Sequence, residues 1–519
     1  MAKKVTFAAV RAALGGSAEF ALLDVREQGV HYRGHPFFAC SAPLSRLELM
    51  VRDLVPRAAA PVVVLDAGEE GLAERATERL ASMGYSDVAV LDGGCAGWQA
   101  AGGELFSGVN VPSKAFGEFV EHHYETPRIS ANQLNEWVAD GKRLVILDSR
   151  PFEEYHRMNI PGGIDMPGAE LAWRVHDVAP DPDTLVVVNC AGRTRSIIGC
   201  QSLRNAGIPN RVVALKDGTM GWDLAGFECE RGAGRVAPPP SERGKAKALA
   251  AAERVAARFG VKFTTPHEVG KWQKDASRTL YLLDVRTRQE FERDHVAGSR
   301  HAPGGQLVQA SDEYVAVRNA RVVLIDPERV RAVMTASWLE QMGWNEVYVL
   351  NDLAGLAMES GPRRLPEIRK WNNLVSPESV SGTVLDLSTS LRFYHAHFPG
   401  GWWGVRSRLS EAREKIGDVR SLVLTSEDGL LAHLAAPEAA ALWRQARVSV
   451  LDGGNAAWIA AGKPVEGGVE RATTTRDDVW YKPYDHASDY KQHARDYLAW
   501  EVALVDQVKR DPTIRFRSY

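Results

Sequence analysis

The chain has 519 residues, with 63 Lys+Arg against 66 Asp+Glu, a formal charge of −3, 45% hydrophobic residues and 25% charged ones. This is an ordinary globular composition, long enough for three or four domains with cores of their own. It argues against a dedicated nucleic-acid binder, which carries a basic excess; against a membrane-spanning chain, since no apolar run approaches about 18 residues; and against a disulfide scaffold, since the five cysteines at 40, 95, 190, 200 and 229 are few and scattered.

The start, MAKKVTFAAVRAALGG, is interrupted by Arg11 and reads as no signal peptide. Mostly unpaired thiols then suit a reducing cytoplasm.

In chain order, four segments repeat one pattern. Each opens with an apolar run ending in Asp: ALLDVR, VILDSR, YLLDVR and TVLDLS, anchored at Asp24, Asp148, Asp284 and Asp386. A second apolar run follows (PVVVLD, TLVVVNC, RVVLID, SLVLTS). Its key residues Asp66, Cys190 and Asp326 each lie 42 residues after their anchor, and Thr425 lies 39 after. A third run closes each unit and leads to Trp98, Trp222, Leu356 or Trp458. Short Val/Leu runs of this kind are strands buried on both faces. The stretches EEGLAERATERLASMG and RTRSIIGCQSLRNAG between them read as helices. Strand–helix–strand alternation predicts an α/β fold with parallel sheets and right-handed crossovers. Ligands of such sheets bind beyond the carboxyl ends of the strands.

The repeat sets expected boundaries at 5–107, 128–232, 262–365 and 374–468. Residues 233–261 form a linker with a Pro run and an Ala-rich helix, and 469–519 a tail. ASDYKQHARDYLAWEVALVDQVKR in the tail reads as one amphipathic helix, with Tyr490, Tyr497, Trp500, Leu504 and Val508 near one face docking on the body.

Only the second unit ends its second strand with a nucleophile, in VVVNCAGRTRSIIG. Cys190 would stand at the strand-to-helix turn. Gly192 permits a tight loop, and Arg193 and Arg195 are cations on it. Inward N–H groups and the start of the next helix would favour an anion there, and the thiolate is the reactive form of cysteine.

The set LDSRPFEEYHRMNIPGG, VVVNCAGRTRS and LKDGTMGW resembles the rhodanese (thiosulfate sulfurtransferase) family, and the resemblance extends over four tandem rhodanese-like domains. Cys-x-x-x-x-Arg-Ser is typical of its active bacterial members. The resemblance implies four parallel sheets flanked by helices, with a helical tail. It also implies a persulfide mechanism, with Cys190 as nucleophile and Ala191, Gly192, Arg193, Thr194 and Arg195 holding a small anionic sulfur donor. The acceptor would be cyanide, a thiol or a protein. No cofactor, metal, nucleic acid or membrane is implied. Arg193 has no counterpart in the family and either touches the donor or is a solvated surface cation. The family's usual pairing of domains implies that units one and two, and three and four, form pairs.

Asp66, Asp326 and Thr425 cannot carry sulfane sulfur, so three units are expected to be silent. Glu69 and Glu70 would also repel an anion in unit one. Asn159 replaces the His that precedes Pro-Gly in the family, kept as His295 and His397, a position more often structural. Asp148–Arg150 and its equivalents read as buried pairs, and Ser388 breaks the pattern in unit four. Cys200 lies roughly 15 Å along its helix from Cys190, too far for a disulfide; Cys95 would face the rim of unit one's site. A phosphatase or arsenate reductase of the related fold would use Cys-x-x-x-x-x-Arg; here Ser196 holds the arginine's place. A non-catalytic sulfur-carrier or regulatory protein is the third reading.

Overall fold

The computed structural model describes residues 2–68, 71–486 and 488–519. The expectation at Glu69 and Glu70 therefore lies outside the described residues. Four sheets carry the four repeats. In unit two the order is Arg128–Ile129, Val212–Leu215, Leu185–Asn189, Leu144–Asp148, Ile164–Asp165, all parallel. Units one, three and four repeat it, with Val62–Leu65, Arg321–Ile325 and Ser421–Thr425 in the central position. Leu185–Asn189 is buried at every residue, as a strand covered on both faces must be. The helices Leu72–Ser82 and Thr194–Ala206 follow the central strands as expected, the second ending at Gly207, whose φ of +68° releases the chain. Among the described residues no helix is long and apolar enough to cross a membrane.

The pairing of units differs from expectation. Val317–Arg318 of unit three adds antiparallel to Phe20–Asp24 of unit one. One core runs through both, joining Leu23, Val51 and Val64 to Leu283, Val322 and Leu339. Unit four sits on unit one, where buried Arg406 grips Glu48 at 2.9 Å. Unit two sits on unit three. The reason is the linker. Its helix, Glu242–Phe259, capped by Ser241, buries Ala248, Ala251, Ala252, Val255 and Phe259 in the shared core. The alanines allow close approach to the helices Val330–Gln341 and Glu170–Val178. The linker is a core element, and it wedges unit three between its neighbours.

The seam between units two and three tolerates no side chain. A Cβ on Gly305 would lie 2.9 Å from the Cα of Gly168, and one on Gly304 2.8 Å from the Ala169 Cβ. Gly305→Val is therefore expected to cost about 2–3 kcal/mol by overpacking, read as a lowered denaturant midpoint. An unchanged midpoint would mean that the seam is looser than this geometry.

The buried pairs are structural. Arg26, Arg150 and Arg286 each fork the Asp two residues before, and each also donates to a backbone carbonyl eight residues on, at Gly34, Met158 and Asp294. They tie the first strand to the turn after it. Asn159 Nδ2 donates to the Tyr155 carbonyl at 3.2 Å, while His35, His295 and His397 place Nδ1 on the carbonyl four residues before. The amide does the imidazole's job. Trp98, Trp222 and Trp458 are core anchors whose Nε1 donates to the carbonyl six residues on.

Candidate functional site

Cys190 ends the central strand of unit two, and the loop 191–193 turns into the helix starting at Thr194. The loop is shaped by the segment that follows the third strand. Thr219 N–H donates to the Cys190 carbonyl at 2.8 Å and Met220 N–H to the Ala191 carbonyl at 2.9 Å. Gly218 makes this approach possible, since a Cβ there would lie 2.3 Å from the Cys190 carbonyl oxygen. With its carbonyls drawn outward, the loop turns its N–H groups inward. Among the described residues, those of Ala191, Gly192 and Arg193 meet no acceptor. Beneath the loop, Asn189 Nδ2 bridges Asp148 (3.2 Å) and Thr219 (3.1 Å), which fixes the strand end.

The silent units show what such a loop holds. In unit one the Asp66 carboxylate accepts from Gly68 N–H (2.8 Å) and Ala73 N–H (3.1 Å). In unit three Asp326 accepts from Arg331 N–H and the Arg331 guanidinium, both at 2.8 Å. Arg331 also binds Glu170 and Glu290, so this loop is filled by an internal ion cluster. Thr425 is held by Asn455. Asp66 and Asp326 thus supply their loops with an anion of their own. Unit two has a sulfur atom there and leaves its N–H groups open.

The two loop arginines part company. Arg193 is 4% exposed and grips Glu118 (2.6 and 2.7 Å), Glu121 (2.5 Å) and Asp217 (3.1 Å). It is neither a donor contact nor a solvated cation; it pins the loop to the connector helix Val111–Tyr124. Three carboxylates spend its charge. Arg195 forks Glu154 at 3.1 and 2.8 Å and reaches Gln306 of unit three at 3.2 Å. Burial opposes the Arg195 charge, but Glu154, and after it Cys190, hold it protonated. Burial likewise opposes ionisation of Glu154, and Arg195, Lys482 and Arg150 overcome it, holding that carboxyl down at about 2. Thr194 Oγ1 donates to Glu501 at 2.9 Å.

Cys190 is covered. It is only 2% exposed. The tail helix, Tyr490–Val508, which has no counterpart in the repeat, packs on the loop that follows Cys190. Ala191 packs with Ala494, Leu498 and Tyr497. A Cβ on Gly192 would meet Glu501 Oε2 at 3.3 Å and the Tyr497 ring at 3.4 Å. The cover is partly polar: the Tyr497 ring and the Glu501 carboxylate both face Gly192. Burial and Glu501 push the Tyr497 phenol well above its ordinary value. Outside the Arg195–Glu154 pair lies a cavity of about 800 Å³, lined by Arg150, Glu154, Arg157, Arg231, Lys482 and Tyr484. The docked tail matches expectation in position, but its deepest face is Ala494, Leu498, Glu501 and Leu504, one step round from the aromatic stripe.

Glu118, Glu154, Tyr484, Tyr497 and Glu501 are the site residues that sequence reasoning missed. Glu501 had a signal: a carboxylate seated within an apolar stripe. Cys200 and Cys229 are poor nucleophiles by environment, since burial pushes Cys200 up to about 12 and Cys229 to about 11. Cys95 N–H donates to the Asp66 carbonyl at 2.9 Å, but its side chain is buried in unit one's core with Leu91 and Trp98 and does not face the rim.

Comparisons with known proteins agree with this architecture. The Rhodanese-like domain family matches residues 6–101, 130–225 and 265–352. A solved thiosulfate sulfurtransferase from Pseudomonas aeruginosa is 47% identical, with 99% of each chain covered and a TM-score of 0.94. Over 95 residues (18% of this chain) the protein is 37% identical to the HTH-type transcriptional regulator Rv0324 of Mycobacterium tuberculosis, of whose length it spans only 41%. It is 24% identical over 133 residues (24% of this chain) to the putative sulfur carrier protein YrkF of Bacillus subtilis, covering 70% of that protein. The family matches more than half of the chain and the Pseudomonas relative nearly all of it, so this protein belongs to the rhodanese-like family.

Proposed function

We propose that this protein is a sulfurtransferase that carries sulfane sulfur on Cys190 of its second unit. The observation behind this reading is the open N–H loop around Cys190, in a chain whose units one and three fill the same loop with a carboxylate of their own. The likeness to the Pseudomonas thiosulfate sulfurtransferase supports thiosulfate as the donor. The Cys190 thiolate attacks the outer sulfur of thiosulfate. A new S–S bond forms, the S–S bond of thiosulfate breaks, and sulfite leaves with its electron pair. The persulfide sits on the inward N–H groups of 191–193 and beside Arg195, in a dry, preorganised site where such donors act strongly. A thiolate or cyanide then takes the outer sulfur and returns Cys190 as thiolate. The cavity lined by Arg157, Lys482 and Tyr484 is the entry for the anionic donor. Units one, three and four build the body on which the loop is held. The reducing cytoplasm fits five unpaired thiols.

Mass measurement after incubation tests the reading. Wild type is expected to gain one sulfur atom from thiosulfate, and Cys190→Ser none, with sulfur transfer to cyanide falling on the order of 10³-fold or more. Parallel incubation with 3-mercaptopyruvate sorts the donor. A wild type that gains no sulfur from either donor, or that hydrolyses p-nitrophenyl phosphate instead, sinks the proposal.

A further inference from the structure

A second cavity, of about 740 Å³, lies between units one and three and the end of the tail. None of its lining comes from unit two. Its walls are partly aromatic, with Phe37, Phe38, Trp344 and Phe516, and its charged lining is Arg318, Arg515 and Arg517 against Asp312.

Arg318 is the unusual group. Its backbone is fixed, because it pairs opposite Phe20 in the strand that bridges units one and three. Its guanidinium lies 3.9 Å over the Phe38 ring and 5.9 Å from that of Trp344. Arg26, Arg150, Arg193, Arg286, Arg331 and Arg406 each grip a carboxylate. Among the described residues Arg318 pairs with none, and its buried Nε has no hydrogen-bond partner. Burial lowers it to about 10, opposed only by Cys40, whose thiol burial itself pushes far up and so keeps neutral. Asp312 lines the same cavity but, among the described residues, forms no ion pair with Arg318. Burial and Glu313 raise Asp312 to about 6, and Asn110 Nδ2 occupies its Oδ1 at 3.2 Å. A half-buried guanidinium with no anion beside it is costly. The stacking on Phe38 holds it in place, and its free edge matches a carboxylate in a two-pronged bond.

We propose that this cavity is a binding site for an aromatic carboxylate, its anionic head forked by Arg318 and its flat body lying among Phe37, Phe38 and Trp344. The site is independent of sulfur chemistry at Cys190.

Titration calorimetry with 2-naphthoate, and with neutral 2-naphthalenemethanol as its control, tests this. Wild type and Cys190→Ser are expected to bind naphthoate saturably and alike. The alcohol should bind at least tenfold more weakly, as should naphthoate to Arg318→Gln, with Arg318→Lys between because an ammonium cannot fork a carboxylate. Arg318→Gln breaks no ion pair and is expected to keep a cooperative melt. Crystals of wild type grown with 6-bromo-2-naphthoate locate the ligand without any variant, by bromine anomalous signal in the cavity. Absence of saturable binding, equal binding of the alcohol, undiminished binding by Arg318→Gln, or bromine found only elsewhere overturns the proposal.

Discussion

Arg195→Met is expected to slow sulfur loading from thiosulfate by on the order of 10²-fold, the scale of losing one preorganised cationic donor, and to cost about 3 kcal/mol of stability. The two losses have different origins. Loading suffers because Arg195 is the loop cation nearest the reacting sulfur; Arg193 cannot stand in, its charge being spent on Glu118, Glu121 and Asp217. Stability suffers because Glu154, only 22% exposed at its side chain, is left without its forked partner. The double variant Arg195→Met/Glu154→Leu separates them. It removes the stranded carboxylate as well, so most of the stability should return while the slow loading persists.

The pH dependence follows from the same pair. In the folded protein Glu154 is held at about 2, below the ordinary value of 4.5. A depressed carboxyl stabilises the fold above its unfolded value and loses that contribution as pH falls through its folded one. The pair's support is thus complete above about pH 4.5 and gone near pH 2. Arg195→Met keeps only the smaller part of that support, which Lys482 and Arg150 supply. Urea unfolding of both proteins should show the stability gap narrowing between pH 7 and pH 3. A gap that stays constant would place the stabilisation in packing of the arginine stem.

The sequence carried the local fold because short-range rules write it. Val/Leu runs, an Asp at the end of each unit's first strand and the Gly207 that stops the helix after Cys190 are all local signals, and the matched 42-residue offset puts Cys190 at its strand tip. What sequence could not carry was the order of assembly. An Ala-rich stretch such as 242–259 looks like an exposed spacer, since alanine is both a good helix former and a weak hydrophobe. Only the facing helices turn it into a core element. The role of Arg193 was hidden for the same reason. Glu118 and Glu121 lie 75 and 72 residues before it, in a connector with no repeat signal. Charge near a cysteine reads as a donor contact until a distant helix supplies the partners that absorb it. The cover over Cys190 was equally invisible. Periodicity places an apolar stripe on the tail helix, but not the surface it meets.

That cover gives the second large effect. Tyr497→Ala is expected to speed alkylation of Cys190 by iodoacetamide at least about tenfold, which needs only about 1.4 kcal/mol off the closed state. Near the loop the tail helix is held by the Lys114–Glu501 ion pair at 3.3 Å and by several direct contacts. Trp500 Nε1 donates to the Ser107 carbonyl at 3.0 Å, Glu501 accepts from Thr194, and Tyr497 lies against Gly192. Trimming the ring opens a hole over the Ala191–Gly192 loop next to Cys190 while Trp500 and Leu504 keep the helix docked. Tyr497→Phe keeps the ring and should label at the wild-type rate, which separates cover from hydrogen bonding. An opened site admits reagents but also water and stray thiols. The persulfide of Tyr497→Ala should therefore discharge faster to glutathione than that of wild type, and the protein should turn over more small thiol while holding its sulfur for less time. Labelling of Tyr497→Ala at the wild-type rate would show that Cys190 is reached from the cavity beside Glu154 and Tyr484, with the tail in place throughout.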